Sequence, residues 1–330
     1  MSPEKGLTEA MTDAKAIVLA IFNRFGDGII AATVCNEFIQ QWSGDGRQFC
    51  IVTSTQLFPY VRALCPNVRI IALHKNNPLA WIKLKFLEKF VYGGFDVGLN
   101  PYSFAKESRK IIKLAKWHRV YRHPDNDFMV NYYDRARAYL SLELQGDFVS
   151  PNFPSKPPDR ILITPESSEQ RRCLTENQLK RLLEQLEARW PTAKIVIAAK
   201  EKLDCGHGRQ FFLQRSKKSS ELFLQEIQKA DLVVSVDSGP LHIAVAMNKP
   251  VIGLFSSTIP GTVLNRAAQA YILRSASLAT VYCEVHKCTV PRCMDSLTLS
   301  DPPAPCLPMA HRRIERDACP HKPHESIIRS

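Results

Sequence analysis

The sequence predicts an α/β protein built from two doubly wound domains. Along the 330 residues, short apolar runs rich in β-branched residues alternate with segments in which apolar residues recur at helical spacing. This alternation is typical of parallel sheets covered by helices on both faces. Residues 146–160 contain four prolines and no periodicity, as expected of a linker. We therefore expect an N-terminal domain over 1–150 and a C-terminal domain over 151–330.

The N-terminal half alternates strand and helix four times and then adds one more helix. The strand segments are too short and too rich in Ile and Val for buried helices, whereas the helical segments repeat their apolar residues every three to four positions. Strands are expected at 16–22, 48–53, 68–73 and 95–99, and helices at 29–38, 56–64, 78–91, 104–115 and 130–144.

The C-terminal half follows the same alternation and ends in an irregular tail. Prolines recur through the last 30 residues, which predicts neither strand nor helix there. Strands are expected at 161–164, 194–198, 232–236 and 250–255, and helices at 176–189, 219–229 and 240–246.

A polar turn, Asp237-Ser238-Gly239-Pro240, follows the buried strand 232–236 and precedes an Ala-rich helix that carries His242. Ser and Gly suit the helix N-cap, and proline suits the first helical position. The free N–H groups and the positive dipole end of a helix N-terminus bind phosphate. Such a turn in isolation serves equally well as a simple helix cap. At the end of a strand in an α/β sheet it is a candidate ligand site.

A second polar turn, 23–28, follows the first predicted strand and contains Gly26 and Asp27. Glycine allows a tight turn and close approach of the backbone to a ligand. A carboxylate at the end of a strand is well placed to act as a general base. The alternative for Asp27 alone is a helix N-cap.

The two turns together resemble the family nine glycosyltransferases, the ADP-heptose:lipopolysaccharide heptosyltransferases and their relatives. The resemblance rests on the D-S-G-P-x-H pattern at 237–242 and on Gly26-Asp27 followed by Thr33, and it spans roughly residues 16–260. It implies a GT-B fold, in which two Rossmann-like domains face a cleft. It also implies inverting transfer from a nucleotide-sugar donor, with Asp27 as the catalytic base that deprotonates the acceptor hydroxyl.

The resemblance also implies a donor site in the C-terminal domain. Arg171 stands where the family has a Lys that faces the donor phosphates, and a solvated Arg is the alternative there. The glycine-rich turn that the family has before Glu201 is replaced by residues 198–200, and the aromatic-proline pair by Cys173-Leu174. The implied donor-binding residues are Ser167, Ser168, Arg171, Glu201, Asp237, Ser238, Gly239, Pro240 and His242.

The positive charge is concentrated in the N-terminal half. Residues 59–125 hold 13 Lys or Arg against 4 Asp or Glu, out of a net charge of +12 for the chain. Such an excess favours a polyanionic partner, either an anionic membrane surface or a phosphorylated glycolipid acceptor. Nucleic acid is disfavoured because no zinc-finger, RNP or helix-turn-helix pattern accompanies the charge. A solvated helix face is the alternative explanation.

We expect a cytoplasmic protein, with peripheral contact at the cytoplasmic face of the inner membrane. No apolar stretch approaches the roughly 18 to 20 residues that span a bilayer. The first 22 residues do not resemble a signal peptide, since acidic residues precede a brief apolar segment. The ten cysteines are then expected to be reduced.

The C-terminal tail carries five cysteines with histidines among them. Thiolates and imidazoles bind zinc or iron, but none of the spacings is the C-x2-C knuckle, and a reduced-thiol tail is the alternative. The transfer chemistry itself is expected to need no cofactor. The tail cysteines are Cys283, Cys288, Cys293, Cys306 and Cys319, with His286 and His311 among them and His321 just beyond.

The function predicted from these features is transfer of a heptose-like sugar from an ADP-sugar to a lipopolysaccharide core or related glycan. Two alternatives remain open. One is a non-catalytic relative that binds a nucleotide or a polyanion. The other is a transferase of the same fold that acts on a protein or capsule acceptor.

Overall fold

The computed structural model contains two parallel sheets, one in each half of the chain. This confirms the predicted α/β fold. Among the described residues, no helix is long and apolar enough to cross a membrane. The structure describes residues 3–44, 46–74, 77–103, 105–122, 131–144, 156–201, 203, 205, 210–212, 217–274, 281–283, 294–295, 297–299 and 312–314.

The N-terminal sheet has five parallel strands in the order β3-β2-β1-β4-β5. Its strands are β1 (Ala16–Ile21), β2 (Gln48–Ser54), β3 (Arg69–Leu73), β4 (Val97–Leu99) and β5 (Trp117–Arg119). The helices of this half are α1 (Pro3–Thr12), α2 (Phe25–Trp42), α3 (Phe58–Leu64), α4 (Pro78–Phe90), α5 (Lys106–Ile112) and α6 (Tyr132–Tyr139).

The C-terminal sheet has six parallel strands in the order β11-β10-β9-β6-β7-β8. Its strands are β6 (Arg160–Thr164), β7 (Lys194–Ala199), β8 (Gln210–Phe212), β9 (Leu232–Val236), β10 (Val251–Phe255) and β11 (Ala270–Arg274). The helices are α7 (Glu176–Arg189), α8 (Lys217–Lys229), α9 (Gly239–Ala246) and α10 (Pro260–Val263). A separate parallel pair joins β12 (Val281–Cys283) to β13 (Arg312–Ile314).

The structure differs from the sequence prediction at several elements. The helix α2 begins at Phe25 rather than at residue 29, so Asp27 lies in its first turn. Gly26 and Gly28 obscured this start, because glycine is a poor helix former. The helices α1 and α10 and the strands β5, β8, β11, β12 and β13 were not predicted, and β13 lies in the proline-rich tail, where no strand was expected. Most of the predicted linker 146–160, namely residues 146–155, lies outside the described part of the chain.

Each sheet has a switch point where the direction of winding reverses. In the N-terminal sheet β1 lies between β2 and β4, and in the C-terminal sheet β6 lies between β7 and β9. Ligands of such sheets bind in the crevice outside the carboxyl ends of the strands that flank the switch point. The loops after β1, β4, β6 and β9 are therefore the ones that border a ligand.

The two halves pack directly against each other. Ile29 of α2 and Tyr60 of α3 lie in the same apolar cluster as Leu241 of α9. The amide nitrogen Nδ2 of Asn131, just before α6, donates to the carbonyls of Gly261 and Leu264 at 2.7 Å each. These contacts hold the loop after β1 close to the loop after β9.

The charged pair at the same boundary adds to this contact. Arg266 of the C-terminal half pairs with the buried Asp134 of α6 at 2.7 Å. Asp134 is itself fixed on α6, whose tyrosines Tyr133 and Tyr139 belong to the N-terminal core. The helix α6 thus connects the N-terminal core to the segment that follows β10.

Candidate active site

The N-terminus of α2 meets the N-terminus of α9 across the boundary between the halves. A Cβ atom added at Gly239 would overlap the ring of Phe25, and one at Gly26 would lie 3.2 Å from Cδ2 of His242. Gly239 is therefore required for the close approach of the two helix ends, whereas a Cβ at Gly26 would need His242 to shift by a few tenths of an ångström. The predicted catalytic turn and the predicted donor turn are brought together at this point.

Both helix ends are left without a side-chain cap. The N-cap residues, Arg24 for α2 and Ser238 for α9, have extended backbone conformations and make no capping hydrogen bond through their side chains. Pro240 lies in the first turn of α9. The first N–H groups of a helix have no partner within the helix, and they carry the positive end of its dipole. Two such ends at one place favour an anion.

Asp27 has the electrostatic environment of a base that works near neutral pH. Burial raises its pKa to about 6, while the guanidinium groups of Arg24 and Arg172 act against this rise and the carboxylate of Asp237 adds to it. A carboxyl of this pKa is ionised at neutral pH and is a stronger base than an ordinary aspartate.

Asp237 and His242 form a buried polar pair at the start of α9. Asp237 accepts from Nη1 of Arg172 at 3.0 Å, and its other oxygen lies 3.9 Å from Nε2 of His242. Burial lowers the pKa of His242, so its imidazole is neutral at neutral pH. Within the described residues, Nδ1 of His242 has no hydrogen-bond partner. The imidazole therefore offers a neutral polar contact rather than a positive charge.

The two neighbouring arginines of the short 3₁₀ turn Gln170–Arg172 have different partners. Arg171 is buried and pairs with Glu169 through Nε at 2.8 Å and Nη2 at 2.7 Å. Arg172 binds Glu169 at 2.6 Å and also reaches Asp237. Burial acts to raise the pKa of Glu169, but the charges of Arg172 and Arg171 outweigh it and hold that pKa below its usual value. Glu169 thus fixes both guanidinium groups.

Arg172 is a further candidate site residue, which the sequence did not predict. The spacing within the family pattern pointed to Arg171, and the sequence offers no reason to prefer the next residue. Successive residues of a 3₁₀ helix point about 120° apart, so only the folded turn shows which arginine faces the Asp237 cluster.

The other predicted donor residues lie on the loops that follow β6 and β7. Ser167 is buried; its N–H donates to Sγ of Cys173 at 3.2 Å, and its carbonyl accepts from Nζ of Lys200 at 3.2 Å. Ser168 and Glu201 are exposed. The loop after β6 is thus tied to the loop after β7, with Ser167 as a structural member.

An aromatic wall that the sequence did not reveal lies on the N-terminal side of Asp27. Tyr102, in the loop after β4, has a left-handed φ of 53°, and its carbonyl accepts a hydrogen bond from the Asn23 side chain. Its ring lies 5.1 Å from the Tyr132 ring and 5.5 Å from the Tyr121 ring. Burial, then the charges of neighbours that include Asp27, raises the pKa of Tyr102. The loops after β1 and β4 thus form one surface beside the predicted base.

A separate groove of about 900 Å³ contains none of the predicted site residues. It is lined by residues such as Gln48 and Arg69, at the starts of β2 and β3, and Ser43, at the end of α2. It therefore lies at the amino ends of the strands, whereas the residues discussed above follow their carboxyl ends.

The predicted metal site lies outside the part of the chain that the structure describes. Cys283 is the last residue of β12, and the other tail cysteines and His286, His311 and His321 are not among the described residues. Within the described residues no group of three or more His, Cys, Asp or Glu side chains could hold a metal ion. Buried free thiols occur at Cys35, Cys50, Cys65, Cys173 and Cys205.

A comparison with known protein families supports the resemblance that the turn before α9 first indicated. Residues 219–293 match the family model described as glycosyltransferase family 9 (heptosyltransferase). This range runs from α8 through β9, α9 and β10, and it includes the D-S-G-P-x-H pattern. The match supports the resemblance to family nine glycosyltransferases over this segment. The predicted family and the predicted enzyme class, a glycosyltransferase, are confirmed. No curated protein matches the chain.

Solved structures of a family 9 glycosyl transferase and of two heptosyltransferases share the fold. The family 9 glycosyl transferase from Veillonella parvula is 14% identical, with a TM-score of 0.58 over 78% of this chain and 85% of its own. The E. coli heptosyltransferase WaaC, solved with ADP, is 16% identical, with a TM-score of 0.56 over 78% and 92%. The E. coli ADP-heptose lipopolysaccharide heptosyltransferase II is 13% identical, with a TM-score of 0.58 over 84% and 95%. The predicted GT-B fold is confirmed.

Proposed function

We propose that this family nine protein is an inverting glycosyltransferase that moves a heptose-like sugar from an ADP-linked donor to a lipopolysaccharide core or related glycan. The observation that carries the proposal is the meeting of the α2 and α9 N-termini, with Asp27 on one and Ser238-Gly239 on the other. One side then supplies a base, and the other supplies an anion site. Transfer from a sugar nucleotide to a hydroxyl needs both.

Asp27 is the proposed catalytic base. As the acceptor hydroxyl attacks the anomeric carbon, its proton passes to the Asp27 carboxylate, and the bond from that carbon to the donor diphosphate breaks. Attack from the face opposite the leaving group inverts the anomeric centre. The raised pKa of Asp27 makes this proton transfer more favourable than it would be to an exposed aspartate.

The leaving diphosphate is stabilised by the start of α9 and by an arginine. Backbone N–H groups near Gly239 and the dipole of α9 point at developing negative charge, and Arg172 lies on the Asp237 carboxylate beside them. Arg171 pairs with Glu169, and Glu169 in turn positions Arg172. His242 supplies a neutral hydrogen bond, and Asp237 orients the loop. Fixed dipoles and a guanidinium neutralise a diphosphate without a metal ion.

The donor and acceptor assignments draw on the relatives and on the charge distribution. The similar E. coli proteins are named as heptosyltransferases, and one was solved with ADP. Such a donor suits the loops after β6 and β9. The acceptor lies on the N-terminal side, where the aromatic wall offers flat ring faces on which sugar rings can pack. The excess of Lys and Arg in this half favours a phosphorylated glycan as the acceptor. We place this activity at the cytoplasmic face of the inner membrane.

Thermal denaturation of the purified chain with a panel of nucleotide sugars tests the proposal. A ligand that binds only the folded state raises the melting temperature, by mass action. We expect ADP-heptose and ADP to stabilise the protein more than UDP- or GDP-sugars do. The Arg172→Gln variant should lose most of that stabilisation, whereas Lys194→Gln, which removes an exposed charge at the start of β7, should keep it. Equal melting temperatures with and without every nucleotide sugar would contradict the proposal.

A further inference from the structure

The helix α4 exposes a continuous apolar stripe. Leu79, Ile82, Phe86 and Phe90 are 71%, 62%, 56% and 65% exposed. Their spacing of three, four and four residues places them on one face of the helix. The Phe86 and Phe90 rings lie 4.7 Å apart, so the stripe is contiguous there. Contiguous apolar surface of this kind on a folded domain marks a binding surface.

The opposite face of α4 already supplies everything that the fold requires. Leu84 is fully buried, and Trp81 and Leu87 pack against the same apolar cluster. The start of the helix is fixed as well, because the Asn77 side chain accepts from the N–H of Leu79 at 3.0 Å. The exposed stripe is therefore surplus to folding. Its large apolar side chains need an explanation outside the domain core.

Lysines flank the stripe on both sides. With about 100° of rotation per residue, Lys83 falls on one side of the stripe, and Lys85 and Lys89 fall on the other. All three are exposed, and Nζ of Lys89 lies 5.5 Å from the Phe90 ring. The acidic residue of this helix, Glu88, is half-buried on the core side. The exposed face of α4 is therefore apolar along its centre and positive along both edges.

A second helix extends the positive surface. The helix α5 packs through Ile111 and Ile112 on the same apolar cluster as Leu84 of α4, so both helices cover one face of the N-terminal sheet. The helix α2 packs on the other cluster of that sheet. The exposed cations of α5 and the turn after it are Lys106, Arg109, Lys110, Lys113 and Lys116.

We propose that α4 lies in the headgroup region of an anionic lipid surface, with its apolar stripe inserted and its lysines on the lipid phosphates. An amphipathic helix with Phe and Leu on one side and Lys beside them binds membranes in this orientation. Lysine stems follow the apolar surface while their charges reach the headgroups. The helix of 13 residues is about 20 Å long, enough to lie along the surface as one anchor.

A second copy of the chain fits this surface less well than lipid does. Pairing two α4 helices through their stripes would bring six lysines together, three from each copy, without exposed acidic residues on either helix to balance them. Like charges held close together oppose association. An anionic lipid surface carries the complementary charge, and it also accepts the aromatic side chains.

The proposal does not depend on the donor site. The lipid-facing helix α4 and the helix α2 with Asp27 lie on opposite faces of one sheet. Docking through α4 therefore leaves the loops at the carboxyl ends of the strands accessible. If the proposed function also holds, docking brings the enzyme to a membrane-embedded acceptor.

Co-sedimentation of the full chain with vesicles tests this surface. We expect binding to phosphatidylcholine vesicles that contain phosphatidylglycerol, and weak binding to pure phosphatidylcholine. Each lysine near an anionic surface is worth about a fivefold change in affinity, so Lys83→Gln/Lys85→Gln/Lys89→Gln should bind about 10²-fold more weakly. Phe86→Ser/Phe90→Ser should lose about tenfold or more, because the inserted apolar area is gone.

The control variant removes the same charge from other exposed positions. Lys15→Gln/Lys180→Gln/Lys194→Gln should bind vesicles within about twofold of wild type, since it lowers the net charge equally but leaves α4 intact. Melting temperature and ADP binding should be unchanged in all three variants. Equal vesicle binding by wild type and both α4 variants would overturn the proposal. Light scattering that shows wild-type oligomers dispersed by Phe86→Ser/Phe90→Ser would also overturn it, in favour of self-association.

Discussion

Among single residues, Asp27 has a pKa that opposing effects determine. Burial disfavours its charge, while Arg24 and Arg172 favour it, and the result is a pKa of about 6. A fully exposed aspartate would be a weaker base, and one equally buried without nearby cations would have a still higher pKa. The arrangement gives a carboxylate that is ionised yet basic, as a general base requires.

The first prediction is that Asp27→Asn abolishes most of the transfer activity. Asparagine keeps the size of the side chain but cannot accept the proton, so the rate should fall by about 10²- to 10⁴-fold. In wild type the rate should rise with pH up to about 6 and then level off, because the base must be ionised. Steady-state kinetics across the pH range measure both effects. A variant with near-normal turnover would remove Asp27 from the mechanism.

The second prediction is that the same substitution, which lowers activity, raises the stability of the protein. The folded-state pKa of Asp27, about 6, lies above the ordinary value of 3.8, so its ionisation above pH 6 costs folding free energy. Asp27→Asn removes that cost and should stabilise the protein at neutral pH by on the order of 3 kcal/mol. Below pH 3.8 the carboxyl is protonated in both folded and unfolded states, and the difference should vanish.

Denaturant unfolding at neutral and at acid pH measures this difference. The Asp13→Asn variant is a suitable control, because that carboxyl is exposed in the turn after α1. Its stability should change little with pH relative to wild type. If Asp27→Asn were destabilising at neutral pH, the carboxylate would be contributing to the fold rather than being held at a cost to it.

The third prediction separates the two arginines. Arg172→Gln should weaken binding of ADP by about tenfold or more, because a charge-assisted contact to the diphosphate is lost. Arg171→Gln should chiefly lower the melting temperature, since it leaves the Glu169 carboxylate with one guanidinium instead of two. Calorimetry with ADP and thermal denaturation give the two readouts. Weaker ADP binding in Arg171→Gln than in Arg172→Gln would favour the residue that the family spacing indicates.

At the scale of elements, the packing of α2 against α9 depends on Gly239. The ring of Phe25 occupies the space of a Cβ at this position, and it also packs edge-on against Tyr60 at 4.6 Å. The two helix ends approach closely only because this residue has no side chain. Asp27 of the N-terminal half is thereby placed beside the donor site proposed at the start of α9.

The fourth prediction follows from this packing. Gly239→Ala should displace Phe25, lower stability by about 1–3 kcal/mol and reduce transfer activity, because overpacking separates the two helix ends. Gly44→Ala is the matched control, since a Cβ there meets no atom within 4 Å. Unfolding curves and activity assays of both variants measure the effect. Equal behaviour of the two would show that the contact between Phe25 and Gly239 is not required.

Some elements of the fold could be predicted from the sequence alone, and others could not. The strands β1, β2, β6, β7 and β9 could be predicted within one residue or so, because buried parallel strands are short runs of Ile and Val. Strands such as β5, Trp117–Arg119, lack that pattern and are specified by pairing with β4. The candidate site could be predicted where a local pattern carries it, as at 237–242. Tyr102 and Arg172 reach the site through tertiary structure and leave no local signal.

At the scale of the whole molecule, the two sheets act as one unit through a few specific contacts. The helix α6 belongs to the N-terminal core but bonds to Gly261, Leu264 and Arg266 beyond β10. The loops after β1 and β4 therefore face those after β6 and β9. A donor held by one half and a base held by the other can meet where these loops face each other. The lipid-facing helix α4 lies apart from that boundary, on the other face of the N-terminal sheet.

A crystal structure of the protein with ADP shows whether the donor diphosphate binds where the N-termini of α2 and α9 meet. We expect diphosphate oxygens about 3 Å from the backbone N–H groups at the start of α9 and from the Arg172 guanidinium, with Asp27 facing the open side. A diphosphate bound in the groove at the amino ends of β2 and β3, remote from Gly239, would contradict this expectation.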